Sequence, residues 1–229
     1  MAISKASTST LSNGFEKLKS LKTEISLPIR SGLIMWYDAS NTSSLTLSGS
    51  NVIEWRDLSG NGRHASGGSS PQYIANAQNG LAAVDFGTDS QYRLQIANPM
   101  TFASKNCHFF AVVKSRKESP SDYSAIIGTY PWSGGSTIGN MAWCFPGNGG
   151  ANGTQQFLIG NVAWGSPGTK SDYLSSNFYN VNAALSSGTA TYRAARQDDG
   201  SGTQSGTVSV QTNALGHQEG TVYGGNVTI

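Results

Sequence analysis

An all-β fold, a jelly-roll-like antiparallel sandwich, is what the sequence predicts. Three observations carry it: 28 glycines among 229 residues, a charged fraction of only 12%, and short apolar or β-branched runs recurring between clusters of Gly, Asn, Asp and Ser. Helical bundles and coiled coils carry far more surface charge, and a disordered chain of low hydrophobicity usually carries a larger net charge than the formal +2 found here. A compact chain of this mass buries roughly 70% of the surface its unfolded form exposes, so one sandwich has core enough. No fixed period repeats along the chain, which removes propellers and solenoids.

Taken in order, residues 1–31 read as an attachment arm with a short helix over 14–25. Phe15, Leu18, Leu21 and Ile25 fall near helical spacing, with Lys17, Lys19 and Lys22 between them. Pro28 disfavours helix at Leu27 and marks the boundary. Such an arm has few local partners, so it is expected to lie on another chain. Residues 32–229 then form the sandwich. Strands are expected at Leu33–Tyr37, Val52–Arg56, Ala83–Phe86, Tyr92–Gln95, Cys107–Lys114, Ser124–Thr129, Ala142–Phe145, Gln156–Gly160, Thr189–Arg196, Thr207–Thr212 and Thr221–Tyr223. The run FFAVV within Cys107–Lys114 is continuously apolar and predicts a strand buried at the centre. Four glycine-rich intervals, WSGGSTIGN, PGNGGANGTQ, WGSPGTKSD and QDDGSGTQSG, read as long loops, where binding function tends to reside.

Fifteen basic against thirteen acidic residues is too even a balance for a nucleic-acid partner bound through its phosphates. No run of about 18 apolar residues predicts membrane insertion, and the opening residues lack the apolar stretch of a secretory signal. Cys107 and Cys144 lack the spacing of a metal or redox site and read as buried thiols. His64, His108 and His217 are scattered, and no G-x-S-x-G, H-E-x-x-H or phosphate-loop motif accompanies them.

One segment carries a resemblance. Trp36 followed by an Asp38-Ala39-Ser40 turn, then Trp55, Asp57 and the Ser59-Gly60-Asn61-Gly62 turn, then Asn79-Gly80 and Val84-Asp85-Phe86, occur in an order and spacing that resembles the start of concanavalin A-like lectin/glucanase domains of the laminin-G-like group. The match spans residues 32–87. Read physically, Trp36 and Trp55 come from strands and fill the space between two sheets, each with an indole donor in need of a partner. Asp57, Ser59 and Asn61 bond nearby backbone while Gly60 and Gly62 accept positive φ, giving a sharp turn. The same oxygens offer a second reading, a calcium site on Asp57, Asn61 and Asp85, since calcium takes six to eight oxygen ligands. Glucan-hydrolysing members of the group carry Glu-x-Asp-x-x-Glu along a strand. This chain has none, and Glu54 and Asp57, three apart, fall on opposite faces of a strand. Members also continue past a strand like TVYGGNVTI. Here the sequence stops at Ile229, so the expectation is either an unrelated solution or a sheet edge completed by a neighbouring chain.

The opening MAISKASTSTLSNG is similar to the amino ends of virion proteins from tailed phages of marine cyanobacteria. The function expected is therefore non-enzymatic: a virion structural protein of tail, fibre or capsid decoration, homo-oligomeric, with the arm on other virion proteins and a lectin-like sandwich free for host-surface polysaccharide. Tyr130, Trp132 and Trp164, beside Gly and Pro, are the expected glycan-stacking residues. Apart from that calcium, no cofactor is expected. A stand-alone carbohydrate-binding module and a polysaccharide hydrolase are the alternatives.

Overall fold

The computed structural model describes residues 30–67, 69, 71–87, 92–103, 107–115, 124–128, 139–145, 156–159, 162–164, 178–186, 189–194, 197–203, 209–216 and 227–229. The chain divides into Met1–Ile34 and Met35–Ile229. Of the first unit, the described part is a turn in which Leu33 N–H donates to Arg30 O, 3.1 Å. The proposed arm residues Phe15, Lys17, Leu18, Lys19, Leu21 and Lys22, and the helix over 14–25, lie outside the described residues.

The second unit is built of strands, with one 3-10 turn, Thr42–Ser44, as the sole helical element among the described residues. Its strands are β1 (Leu45–Ser48), β2 (Asn51–Trp55), β3 (Ala65–Ser66), β4 (Gln72–Gln78), β5 (Leu81–Asp85), β6 (Leu94–Ala103), β7 (Cys107–Ser115), β8 (Ser124–Gly128), β9 (Gly139–Phe145), β10 (Gln156–Ile159), β11 (Val162–Trp164), β12 (Tyr179–Ser186), β13 (Thr189–Ala194), β14 (Gln197–Thr203), β15 (Ser209–Leu215) and β16 (Val227–Thr228). The hydrogen-bonded path runs β11-β10-β9-β8-β15-β6-β3-β2-β4-β5-β16-β7-β12-β13-β14, with β1 on β2. Pairing is antiparallel apart from short parallel contacts between β9 and β15 and between Ser69 and Tyr92.

The path curls back on itself, which makes it sandwich-like. Phe109 on β7 packs against Trp143 on β9, ring centroids 5.9 Å apart, although eight strands separate β7 from β9 along the path. Between the layers lies one apolar cluster that includes Val52, Trp55, Val84, Phe86, Leu94, Ile96, Val113, Ile127, Trp143, Val181 and Leu215. Strict alternation would not place Val52 and Trp55 on one side of β2. A bulge resolves this: Thr46 pairs Glu54 while Leu47 pairs Val52, so Ile53 is the extra residue and is exposed, and Val52 and Trp55 both turn inward. A second bulge, at Ile126 on β8, lets Ala125, Ile126 and Ile127 all be buried.

Several expectations need correction. Leu33–Tyr37 is not a strand; the Trp36 carbonyl accepts from Leu58 N–H at 2.8 Å and its N–H is occupied by the Asp57 side chain rather than by a strand ladder. Trp36 is accordingly half-buried rather than packed between sheets, and Tyr37 takes that place beside Trp55, centroids 5.4 Å apart. The Trp55 ring is 1% exposed, yet its Nε1–H finds no acceptor among the described residues. The interval QDDGSGTQSG is not all loop, since Gln197–Thr203 is β14, paired to β13. FFAVV is not buried throughout, as described below. The sheet path does not end at the last strand either: β16 sits inside it between β5 and β7, with Val84 and Ile229 exchanging backbone bonds of 2.6 and 2.8 Å.

Candidate functional site: the outer face of β7

The period of two along β7 divides its side chains sharply. Cys107 and Val113 are buried and Phe109 packs toward Trp143, whereas His108, Phe110 and Val112 face solvent. Phe110 is 75% exposed and Val112 54%. The imidazole of His108 and the ring of Phe110 lie 6.2 Å apart at 33°, and half-buried Lys114 follows at the next outward step. Sequence reading takes FFAVV for a core strand because four of its five residues are bulky and apolar. In the structure only one face of β7 has a core to meet.

This face is held from both sides. β12 pairs along β7 from Cys107 to Val113, and β16 pairs at Lys114 and Ser115. The register sets exposed Asn180 opposite Val112 and Asn182 opposite Phe110, while Val181, between them, is buried. β12 was missed from the sequence, though the alternation Asn180-Val181-Asn182 is the signal that finds it. The result is an aromatic and aliphatic platform with an imidazole at one end, an ammonium at the other and the Asn180 amide alongside, on a strand paired along its length. An exposed ring of this kind leaves apolar area in water, and covering a phenylalanine fully is worth about 1.5–3 kcal/mol.

The loop after β2 holds the densest polar cluster, and its geometry is internal. The Asp57 Oδ1 accepts from Trp36 N–H at 3.0 Å and Ser59 N–H at 2.9 Å; Oδ2 accepts from Ser59 Oγ at 2.8 Å and Arg63 N–H at 3.1 Å. A carboxylate has about four lone-pair sites, and these donors occupy them. The Asp57 N–H donates to His64 Nδ1, 3.1 Å. Burial acts to raise the Asp57 carboxyl's pKa, but the Ser59 and Trp36 N–H groups, the Ser59 hydroxyl and the Arg63 N–H outweigh it, so the net shift is downward. Gly60 and Gly62, at φ +89 and +66, close the loop. Arg63 then reaches across to Asn98 O and Pro99 O, 2.5 and 3.3 Å, and Tyr37 Oη donates to Arg63 O. Burial, then the Asp57 charge, push the Tyr37 hydroxyl above its ordinary range, against a smaller pull from Arg63.

The residues singled out from sequence thus have separate surroundings. Asp57 is engaged with four donors, Asn61 Nδ2–H donates to Ser59 Oγ at 3.1 Å, and Asp85 Oδ1 accepts from Gly87 N–H at 2.9 Å. Among the described residues no group of three or more His, Cys, Asp or Glu side chains converges as metal ligands do. Glu54 hydrogen-bonds Thr46 and Arg56 on the outer side of β2 while Asp57 is tucked in. Tyr130 and Trp132 lie outside the described residues, and Trp164 is described only as backbone, at the end of β11, the first strand of the path.

Neither a family model nor a curated protein sequence matches this chain. Solved structures do. The binding domain of Paraclostridial Mosquitocidal Protein 1 superposes with a TM-score of 0.53 at 10% identity, over 81% of this chain and 45% of that one. An arabinofuranosidase complexed with arabinofuranosyl-α-1,2-xylobiose gives 0.53 at 14% identity, over 78% and 45%. The shared property is a curled β-sandwich. At such identity the likeness is one of fold, and this chain spans less than half the length of either protein.

Proposed function

We propose that this chain is a non-catalytic, lectin-like binding protein that holds saccharide on the outer face of β7. The observation that carries the reading is Phe110, a ring 75% exposed in the middle of a sheet rather than at a loop tip, with His108 beside it and Asn180 on the adjoining strand. Apolar ring on C–H face, with amide and imidazole at the hydroxyl rim, is complementary to a sugar. Support from fold comes second: one similar structure is described as a binding domain and another holds an arabinofuranosyl-xylobiose. The concanavalin A-like motif order over residues 32–87 agrees with it.

Deployment on a phage particle, as a tail, fibre or head component with residues 1–31 on other virion proteins, rests on the likeness of the opening residues and on the basic amphipathic run that follows. Labelling purified particles with an antibody to this chain tests the location. For binding itself, a glycan array probed with parent and Phe110→Ala proteins, with and without calcium, is decisive. Parent binding that drops about tenfold or more in the variant is expected for loss of a central aromatic anchor. An array without hits under either condition removes the reading.

A further inference from the structure

Among the described residues the dipeptide Asn-Gly occurs twice, both times exposed: Asn61-Gly62 in the loop after β2 and Asn79-Gly80 between β4 and β5. Asparagine before glycine is able to cyclise. The glycine nitrogen gives up its proton to water, bonds to the asparagine Cγ and expels the side-chain nitrogen as ammonia. Water then opens the succinimide at either carbonyl to leave aspartate or isoaspartate, so one water enters and one ammonia leaves. We infer that Asn61 is a self-modification site of the folded protein, and that the fold holds Asn79 back from the same reaction.

An intramolecular attack depends on how readily its two atoms are brought into line. Space does not separate the sites, since a methyl on Gly62 or on Gly80 would meet nothing within 4 Å. Anchoring does. Asn79 and Gly80, at φ 54 and 77, form the two-residue turn of a hairpin closed by Gln78 opposite Leu81. The attacking nitrogen is itself tied, because Gly80 N–H donates to Asn76 Oδ1 at 3.0 Å. Swinging it onto Asn79 Cγ breaks that bond and opens the hairpin end. Asn61-Gly62 belongs to no ladder, as β2 ends at Trp55 and β3 begins at Ala65. The donors on Asp57 come from Trp36, Ser59 and Arg63, so the peptide joining Asn61 to Gly62 spans two anchored residues without sharing their anchor. Asn61 ties back to Ser59 Oγ through its N–H at 3.3 Å and its Nδ2–H at 3.1 Å, in an exposed position where water competes. The Asn98 side chain donates to Gly62 O at 3.1 Å, a bond on the carbonyl and not on the attacking nitrogen. Gly60 and Gly62 change φ at little steric cost. The product bears on the loop as well: isoaspartate routes the main chain through Cβ, lengthening the span from Ser59 to Arg63, and places a second carboxylate near Asp57.

The test ages full-length protein in mildly alkaline buffer, folded and in guanidinium chloride, and follows each site by peptide mapping. Trypsin places the two on different fragments, residues 57–63 and 64–93, where the mass gain of an NH-to-O exchange is timed and fragmentation distinguishes isoaspartate from aspartate. In denaturant the two sites should react at similar rates. In the folded protein Asn61 should stay within about threefold of its denatured rate, while Asn79 should slow by about tenfold or more because it waits for local opening. Asn76→Ala should bring Asn79 back toward its denatured rate without altering Asn61. Equal rates at the two sites in the folded protein, or a faster Asn79, overturn the inference. So does an Asn79 rate indifferent to Asn76→Ala, since the tether is what separates the sites.

Discussion

The loop around Asp57 and the outer face of β7 are opposite uses of side chains. In the loop, short polar residues that look like a ligand site turn inward and satisfy one another: four donors on one carboxylate, a histidine nitrogen on a backbone N–H, an arginine on two carbonyls. On β7, residues that look like core are left in water, with Phe110 and Val112 exposed beside a buried Val113. Chemical richness in a sequence therefore points here to architecture, and apparent blandness to apolar surface left in water. Satisfied polar groups have little affinity to offer, whereas uncovered apolar area on a rigid strand does.

The strongest way to break that contrast is Asp57→Ala. It strands the N–H groups of Trp36, Ser59 and Arg63 and should cost about 3–4 kcal/mol in urea unfolding, near the upper end for single substitutions. A cost below about 1 kcal/mol would mean that water replaces the carboxylate and the loop is not structural. Next comes acidification. The folded-state carboxyl of Asp57 is depressed, so its contribution is fully present above the unfolded value of about 3.9 and is lost as pH falls through the lower folded value. Thermal unfolding followed downward from neutral pH should show a steeper acid loss in the parent than in Asp57→Asn, and parallel curves would contradict the assignment. Gly60→Ala should cost about 1 kcal/mol through backbone strain alone, because at φ +89 a new methyl meets no atom within 4 Å. The smallest effect sharpens the other half of the contrast. Phe110→Ser should change unfolding free energy by no more than about 0.5 kcal/mol, as expected for an exposed position. A large loss of stability would show the ring to be part of the core after all.

How much of this was legible beforehand depends on what sets each feature. The class of fold was, because strand-length apolar runs and turn residues act locally. Gly60 and Gly62 were read correctly for the same reason: a left-handed backbone position favours one residue type wherever it occurs. The strand over Leu33–Tyr37 was misread because Trp36 N–H is taken by a carboxylate 21 positions away, a competition that propensity does not register. β14 was hidden since its pairing partner, not its Gly- and Asp-rich composition, makes Gln197–Thr203 a strand. Register and bulges decide faces, so neither the inward turn of both Val52 and Trp55 nor the outward one of Phe110 could be assigned before pairing was known. The Asp57 cluster was visible as a motif, and its inward orientation was not.

The position of β16 has a kinetic consequence. Val227 and Thr228 occupy a slot whose walls, β5 and β7, are synthesised long before them, and Ile229 locks to Val84 through a reciprocal pair of bonds. Until that distal segment emerges from the ribosome, two strand margins remain open and adhesive, and closure then demands a long-range encounter of the kind that slows β proteins. Refolding should accordingly be sluggish and prone to clumping at high concentration, with the junction of β5 and β7 the last to acquire amide protection.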